Sequence, residues 1–285
     1  MNWRGRKGSS NVEDRRGQVV KGAAGLSGIG IILYIVLSLM GVDPGAIIGT
    51  GGTLQTDNNP PEQSQQYQEN ANEKELREFV SVVFKDTEDV WTEVFAREGG
   101  KYQKPTLVLY TEATNSACGV GQSGMGPFYC PQDQKVYLDL SFYQELRDKF
   151  KAPGDFALAY VVAHEVGHHI QNQLGILGKV QSLRGQMSEK EYNQLSVRLE
   201  LQADYFAGVW AKYMQGKGYL EIGDVEEAMN AAESVGDDRI QKKMQGTVVP
   251  DSFTHGTSAQ RVKWFKKGFA NGTIRGGDTF NTSDL

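Results

Sequence analysis

The chain has 285 residues, 39% hydrophobic and 23% charged, with net charge −5, four histidines and two cysteines. That length suits one large domain or two small ones, and the composition excludes wholesale disorder, a collagen and a disulfide-dense scaffold. A mean hydropathy of −0.46 excludes a polytopic membrane protein while leaving room for one span, and the acidic balance argues against a chain built to hold nucleic acid.

The charge is unevenly distributed. Residues 1–21 carry Arg4, Arg6, Lys7, Arg15, Arg16 and Lys21 against Glu13 and Asp14, a net +4 that leaves −9 of the whole −5 on the rest. An uncharged run follows over 22–42, densest from Ile29 to Met40. As a helix it would cover about 30 Å, the thickness of a bilayer's hydrocarbon core. It reads as one uncleaved transmembrane helix; a cleaved signal peptide, the competing reading, needs a clearer small-residue site than Val42 to Ile48 offers. Basic residues ahead of the span place the N-terminus in the cytoplasm and everything after Asp43 outside it. Residues 43–72, with Gly49 to Gly52, Pro60-Pro61 and many Gln and Asn, read as a flexible linker. The folded domain is then 73–285.

Within that domain, Glu73 to Glu98 carries an apolar stripe at helical spacing, stopped by Gly99-Gly100. Pro105–Tyr110 and Lys135–Leu140 read as strands, the second a hairpin partner or an edge strand bordering a cleft. Cys118 and Cys130 close a Gly-rich loop of the spacing expected to pair in an oxidising compartment. Gly119 to Gly124 spells G-x-G-x-x-G, yet no helix can start in the Met-Gly-Pro-Phe-Tyr-Cys that follows, so no nucleotide site is expected. Asp155 caps a helix over Phe156–Leu174, with Gly175 as C-cap. Further helices are expected over about Glu189–Lys212, Ile222–Ser234, Asp237–Gln245 and Ser258–Phe269, the last capped by Ser258.

The Phe156–Leu174 helix carries Ala163-His-Glu-Val-Gly-His168. In this H-E-x-x-H, His164 and His168 are four apart on one face, the spacing that lets two imidazoles share a zinc ion. Glu165 lies about 100° around the helix, where it can act as general base toward zinc-bound water. His169 points elsewhere and reads as a structural or surface histidine. A longer H-E-x-x-H-x-x-G-x-x-H pattern fails, because Gln171 and Leu174 occupy its last two fixed positions. The third ligand is sought downstream, where Glu200 and Asp204 share a helical face and Ala203 and Ala207 permit close helix approach. On the residues alone either carboxylate could be the ligand.

H-E-x-x-H followed by E-x-x-x-D resembles the gluzincin metallopeptidases, and the fuller set resembles the bacterial putative neutral zinc metallopeptidase family of single-span inner-membrane proteins. The matching stretches are Asn2 to Arg6 with Asn11 to Arg16, Cys118 to Tyr143, His164 to Gln171, Glu200 to Gly208 and Phe253 to Arg261. The resemblance implies an α+β, zincin-like fold: a small sheet whose edge strand lies beside the active-site helix, and a helical C-terminal half. It implies Glu200 as the third zinc ligand and Asp204 as an acceptor holding a ligand histidine in its tautomer. It also suggests His255, in a turn before the last helix, as a donor to the oxyanion, supported by Arg261; a surface turn histidine is the competing reading.

The leading expectation is a peptidase anchored in the bacterial inner membrane by one helix, acting on extracytoplasmic polypeptides through Glu165-assisted attack of zinc-bound water. A zinc-binding, non-catalytic interaction module is the first alternative, against which the intact Glu165 argues. A zinc hydrolase of a non-peptide bond is the second.

Overall fold

The computed structural model describes residues 1–18, 20 and 67–285. The expected span over 22–42 and most of the expected linker lie outside them. Among the described residues no helix is long and apolar enough to cross a membrane.

Helix α1 (Ala71–Arg97) starts on a reciprocal cap: the Asn70 side chain accepts from the Glu73 N–H while the Glu73 carboxylate accepts from the Asn70 N–H. Its predicted stripe, Phe79, Val80, Val83, Phe84, Val90 and Val94 among it, is buried. The main sheet contains β1 (Val12–Asp14), β2 (Thr106–Tyr110), β5 (Phe128–Cys130) and β6 (Lys135–Asp139) in the order β1-β2-β6-β5. The first three in that order are parallel, and β5 returns antiparallel to β6. Leu107, Val108 and Leu109 are fully buried, as the continuous apolar run of β2 requires of a strand covered on both faces. A separate hairpin, β3 (Ala113–Ser116) with β4 (Gly119–Gln122), precedes the 3₁₀ turn Ser123–Met125. The G-x-G-x-x-G stretch is therefore strand and turn. Cys118 at the hairpin's turn is disulfide-bonded to Cys130 of β5.

Lys135–Leu140 is indeed a hairpin partner, but it is not the edge. β6 has β2 on one side and β5 on the other, so among the described residues the edge is β5, a three-residue strand between Pro127 and Pro131 that is too short to stand out in the sequence.

The helical half comprises α2 (Phe142–Asp148), α3 (Asp155–Gln173), α4 (Ile176–Ser182), α5 (Glu189–Gly216), α6 (Asp224–Ser234), α7 (Asp237–Gln245) and α8 (Ser258–Asn271). Asp155 is the first residue of α3 rather than its cap, which is Gly154. Thr257, not Ser258, caps α8 through the Gln260 N–H. Helix α3 is buried on nearly every side and crosses α5 at Gly167, where a Cβ would stand 3.0 Å from the Cα and carbonyl oxygen of Ala203. The crossing is close enough that a side chain at Gly167 would press on the Ala203 backbone. It sets the H-E-x-x-H face against the Glu200 face, and α8 packs along α5 and reaches α3 through Arg261 and Phe265.

Residues 1–18 require a correction. They pack into the domain rather than standing apart from it, with Asn2 and Asn11 tied to Tyr219 and Leu107 by backbone hydrogen bonds and Trp3 packed edge-on to Phe79. Three of their positive charges, which the sequence reading assigned to membrane topology, reach carboxylates distant in sequence. Arg4 meets Glu75, Arg6 meets Asp86, and Arg16 reaches both Asp14 and Glu69. The Met1 ammonium sits among Asp155, Glu221 and Asp224 at 2.8–3.3 Å. A single crossing between residues 22 and 42 would put residues 1–18 and 67–285 on opposite faces of a bilayer. Backbone pairing of β1 with β2 holds Val12–Asp14 and Thr106–Tyr110 in one sheet.

Candidate metal centre

His164 and His168 project from α3 toward Glu200 of α5. His164 Nε2 lies 3.2 Å from Glu200 Oε2, and His168 Nε2 lies 3.4 Å from Glu200 Oε1. One ligand atom from each of the three falls within 4.8 Å of the others. Ligands at the 2.0–2.1 Å bond lengths of tetrahedral zinc stand about 3.3 Å apart. The spacing is thus that of neighbouring ligands on one ion, longer than the roughly 2.8 Å of a charge-assisted hydrogen bond. Two imidazoles and a carboxylate also form a donor set that suits zinc and leaves a fourth position for a reactant.

Asp204 does not point at that space. It is fully buried one turn along α5, where its Oδ1 accepts from His164 Nδ1 at 2.8 Å and from the Tyr160 hydroxyl at 2.6 Å. Arg261 clamps it from α8, Nε to Oδ2 at 2.8 Å and Nη2 to Oδ1 at 2.9 Å. Burial alone would raise this carboxyl's pKa, but Arg261 and then His164 outweigh it and keep Asp204 below the ordinary range. An ionised carboxylate only accepts, so His164 carries a proton on Nδ1, which leaves Nε2, on the Glu200 side, as the nitrogen that can serve a metal. Glu200 is likewise held well below the usual carboxylate pKa, the facing histidines outweighing burial.

Glu165 behaves in the opposite way. It is 8% exposed, and burial pushes its pKa up to about 7 against the neighbouring His164. His255 stands on the turn before α8, near enough to Glu165 and Glu200 to perturb both. Asp237, the first residue of α7, fixes that turn. Its Oδ2 accepts from the backbone N–H groups of Thr254, His255 and Gly256 at 2.6–3.0 Å, and its Oδ1 lies 3.1 Å from His255 Nδ1. The His255 side chain is half exposed, and the desolvation it does undergo is outweighed by the Asp237 charge, which raises its pKa.

The structure therefore brings together His164, Glu165, His168, Glu200, Asp204 and His255, all named from the sequence. It reassigns Arg261, which supports Asp204 rather than His255. Tyr160 and Asp237 escaped the sequence reading, since each acts through a contact 18 to 101 residues away. His169 is buried and satisfied, with Nδ1 on the Tyr129 hydroxyl at 2.9 Å and Nε2 on the Gln103 carbonyl at 2.6 Å. That link keys edge strand β5 to α3 one residue beyond His168.

The sequence profile of the family described as "putative neutral zinc metallopeptidase" matches residues 1–280. The uncharacterised protein YpfJ of Escherichia coli (strain K12) is 49% identical over 290 residues, covering 99% of this chain and 100% of that protein. The uncharacterised Rv2575 of Mycobacterium tuberculosis (strain H37Rv) and Mb2605 of Mycobacterium bovis are each 44% identical over 195 residues, covering 65% of this chain and of their own. No solved structure matches the chain.

Proposed function

The chain belongs to the putative neutral zinc metallopeptidase family, and from that premise we propose that it hydrolyses peptide bonds of polypeptide substrates at the His164, His168 and Glu200 centre. The observation that carries this reading is the convergence of those three side chains beside a buried Glu165. Zinc bound there supplies a Lewis acid that polarises the scissile carbonyl and makes water nucleophilic near neutral pH.

The remaining steps belong to the protein's own groups. Glu165, with its pKa pushed up to about 7, takes the proton of the attacking water and returns it to the leaving amine. His255, oriented by Asp237, donates a hydrogen bond to the oxygen that gains charge in the tetrahedral intermediate. Asp204, locked by Arg261 and Tyr160, keeps His164 in the tautomer that can serve as ligand. Strand β5, the outer strand of the sheet among the described residues and keyed to α3 through Tyr129, offers backbone groups to an extended peptide running antiparallel to it.

The test is hydrolysis of an unbiased peptide library by the zinc-loaded full chain beside Glu165→Gln. Cleavage that vanishes in the variant while zinc stays bound supports the proposal. Tight zinc with no cleavage by either protein, or turnover confined to non-peptide bonds, overturns it.

A further inference from the structure

His168 has no carboxylate behind it. Its Nδ1 lies 2.9 Å from Gln171 Oε1, one turn along α3, and Gln171 is fully buried. A glutamine can present oxygen or nitrogen to an imidazole, so this contact alone does not say which ring nitrogen carries the proton. The rest of the network does. Gln171 Nε2 donates to the Leu199 backbone carbonyl at 2.7 Å and to Gln202 Oε1 at 3.1 Å. Gln202, 4% exposed, donates its own Nε2 to the Gly277 carbonyl at 2.8 Å. Backbone carbonyls only accept, so the two that end this chain force both amides to point nitrogen toward them. Gln171 is left with its oxygen facing His168, and His168 must donate from Nδ1.

We propose that Gln171 is the positioning residue of His168, held in register by Gln202 and the Gly277 carbonyl, so that the C-terminal turn fixes the second imidazole as Asp204 fixes the first. This rests on His168 being a metal ligand. The amide relay reaches from α3 through α5 to the 3₁₀ turn Arg275–Gly277. That turn lies flat on Tyr205, where a Cβ at Gly277 would stand 2.6 Å from the ring. Arg198 donates to the Thr279 and Thr282 carbonyls, and Thr279 donates back to the Arg198 carbonyl, which pins the same segment to α5. The two imidazoles thus have different supports: a charged, arginine-clamped carboxylate behind His164 and a neutral amide chain behind His168.

The test uses the full chain, with Gln171→Met removing the relay at similar volume, Gln171→Glu restoring an acceptor, and Gln202→Met disturbing the relay without touching a ligand. Imidazole ¹⁵N shifts of the metal-free protein and zinc affinity by chelator competition are both read. The expected result is a single Nδ1–H tautomer for His168 in the wild type and a mixture in Gln171→Met. Zinc affinity should fall about 10–100-fold in Gln171→Met, recover in Gln171→Glu, and fall by less in Gln202→Met. Gln171→Met with an unchanged tautomer and affinity, whatever its melting temperature, overturns the positioning role. A fixed tautomer in a wild type that binds no zinc would leave the relay standing and remove the metal site, so the two readings fail separately.

Discussion

Replacing Gly167 by alanine tests the helix crossing on which the site depends. In an exposed helix interior that substitution gains about 1 kcal/mol from propensity and the loss of glycine's conformational freedom. At Gly167 the new methyl would stand 3.0 Å from the Cα and carbonyl oxygen of Ala203 and 3.2 Å from its Cβ. Two of those three atoms are backbone, so no rotamer change relieves the contact, and α3 and α5 must separate by several tenths of an ångström. Overpacking of this kind costs about 1–3 kcal/mol. It should offset the propensity gain and leave Gly167→Ala destabilised by up to about 2 kcal/mol, a fall of up to roughly 8 °C in the melting temperature of a domain this size. Gly178 is the control, since it sits on exposed α4 with nothing within 4 Å of its Cβ position. Gly178→Ala should raise the melting temperature by a few degrees. Calorimetry of the metal-free proteins reads both, and zinc affinity should fall in Gly167→Ala alone, because α3 carries the histidines away from Glu200. If both substitutions stabilise alike, the close crossing is wrong.

Two further outcomes concern the amino-terminal half. Arg77, and Arg16 against some cost of burial, lower the Glu69 pKa from 4.5 to about 2. The stability this pairing contributes is complete above about pH 4.5 and lost as pH falls toward 2. Glu69→Gln should therefore flatten the acid limb of the stability profile in that window, and an unchanged limb would show that the pair contributes nothing. Ser10→Cys and Ser283→Cys place exposed thiols on the first segment and near the C-terminus. A membrane-impermeant thiol reagent on intact cells should label both or neither, and labelling of one alone would contradict the pairing of β1 with β2.

The site was legible in proportion to how local its chemistry is. His164, Glu165 and His168 are set by one helix's periodicity, which a sequence displays directly. Glu200 and Asp204 were visible as a helical pair, but only the crossing of α3 with α5 shows that Glu200 faces both imidazoles while Asp204 sits behind one. Asp237, Tyr160 and the Gln171–Gln202 relay act across elements, and nothing in their immediate neighbours marks them. Gln171 was noticed only for failing a longer zinc motif. Among the elements, the capped amphipathic helices were legible, whereas β3, β4 and β5 are only three or four residues long, and α4 starts directly after α3 on Gly175, its own N-cap rather than the C-cap of α3, which is Leu174. The ion pairing of the N-terminal segment was missed for a physical reason. A charge count registers Arg4, Arg6 and Arg16 as a basic run, but their partners Glu75, Asp86 and Glu69 lie 71, 80 and 53 residues away.

The central claim is that His164, His168 and Glu200 together hold one zinc ion. Zinc K-edge absorption of the zinc-loaded chain tests it most directly, read beside Glu200→Ala and Asp204→Asn. The account predicts one zinc per chain with only nitrogen and oxygen neighbours at about 2.0–2.2 Å. Scattering from two imidazoles should be present, a protein ligand should be lost in Glu200→Ala, and the ligand count should be retained in Asp204→Asn. An unchanged first shell in Glu200→Ala, or a ligand lost only in Asp204→Asn, would contradict it.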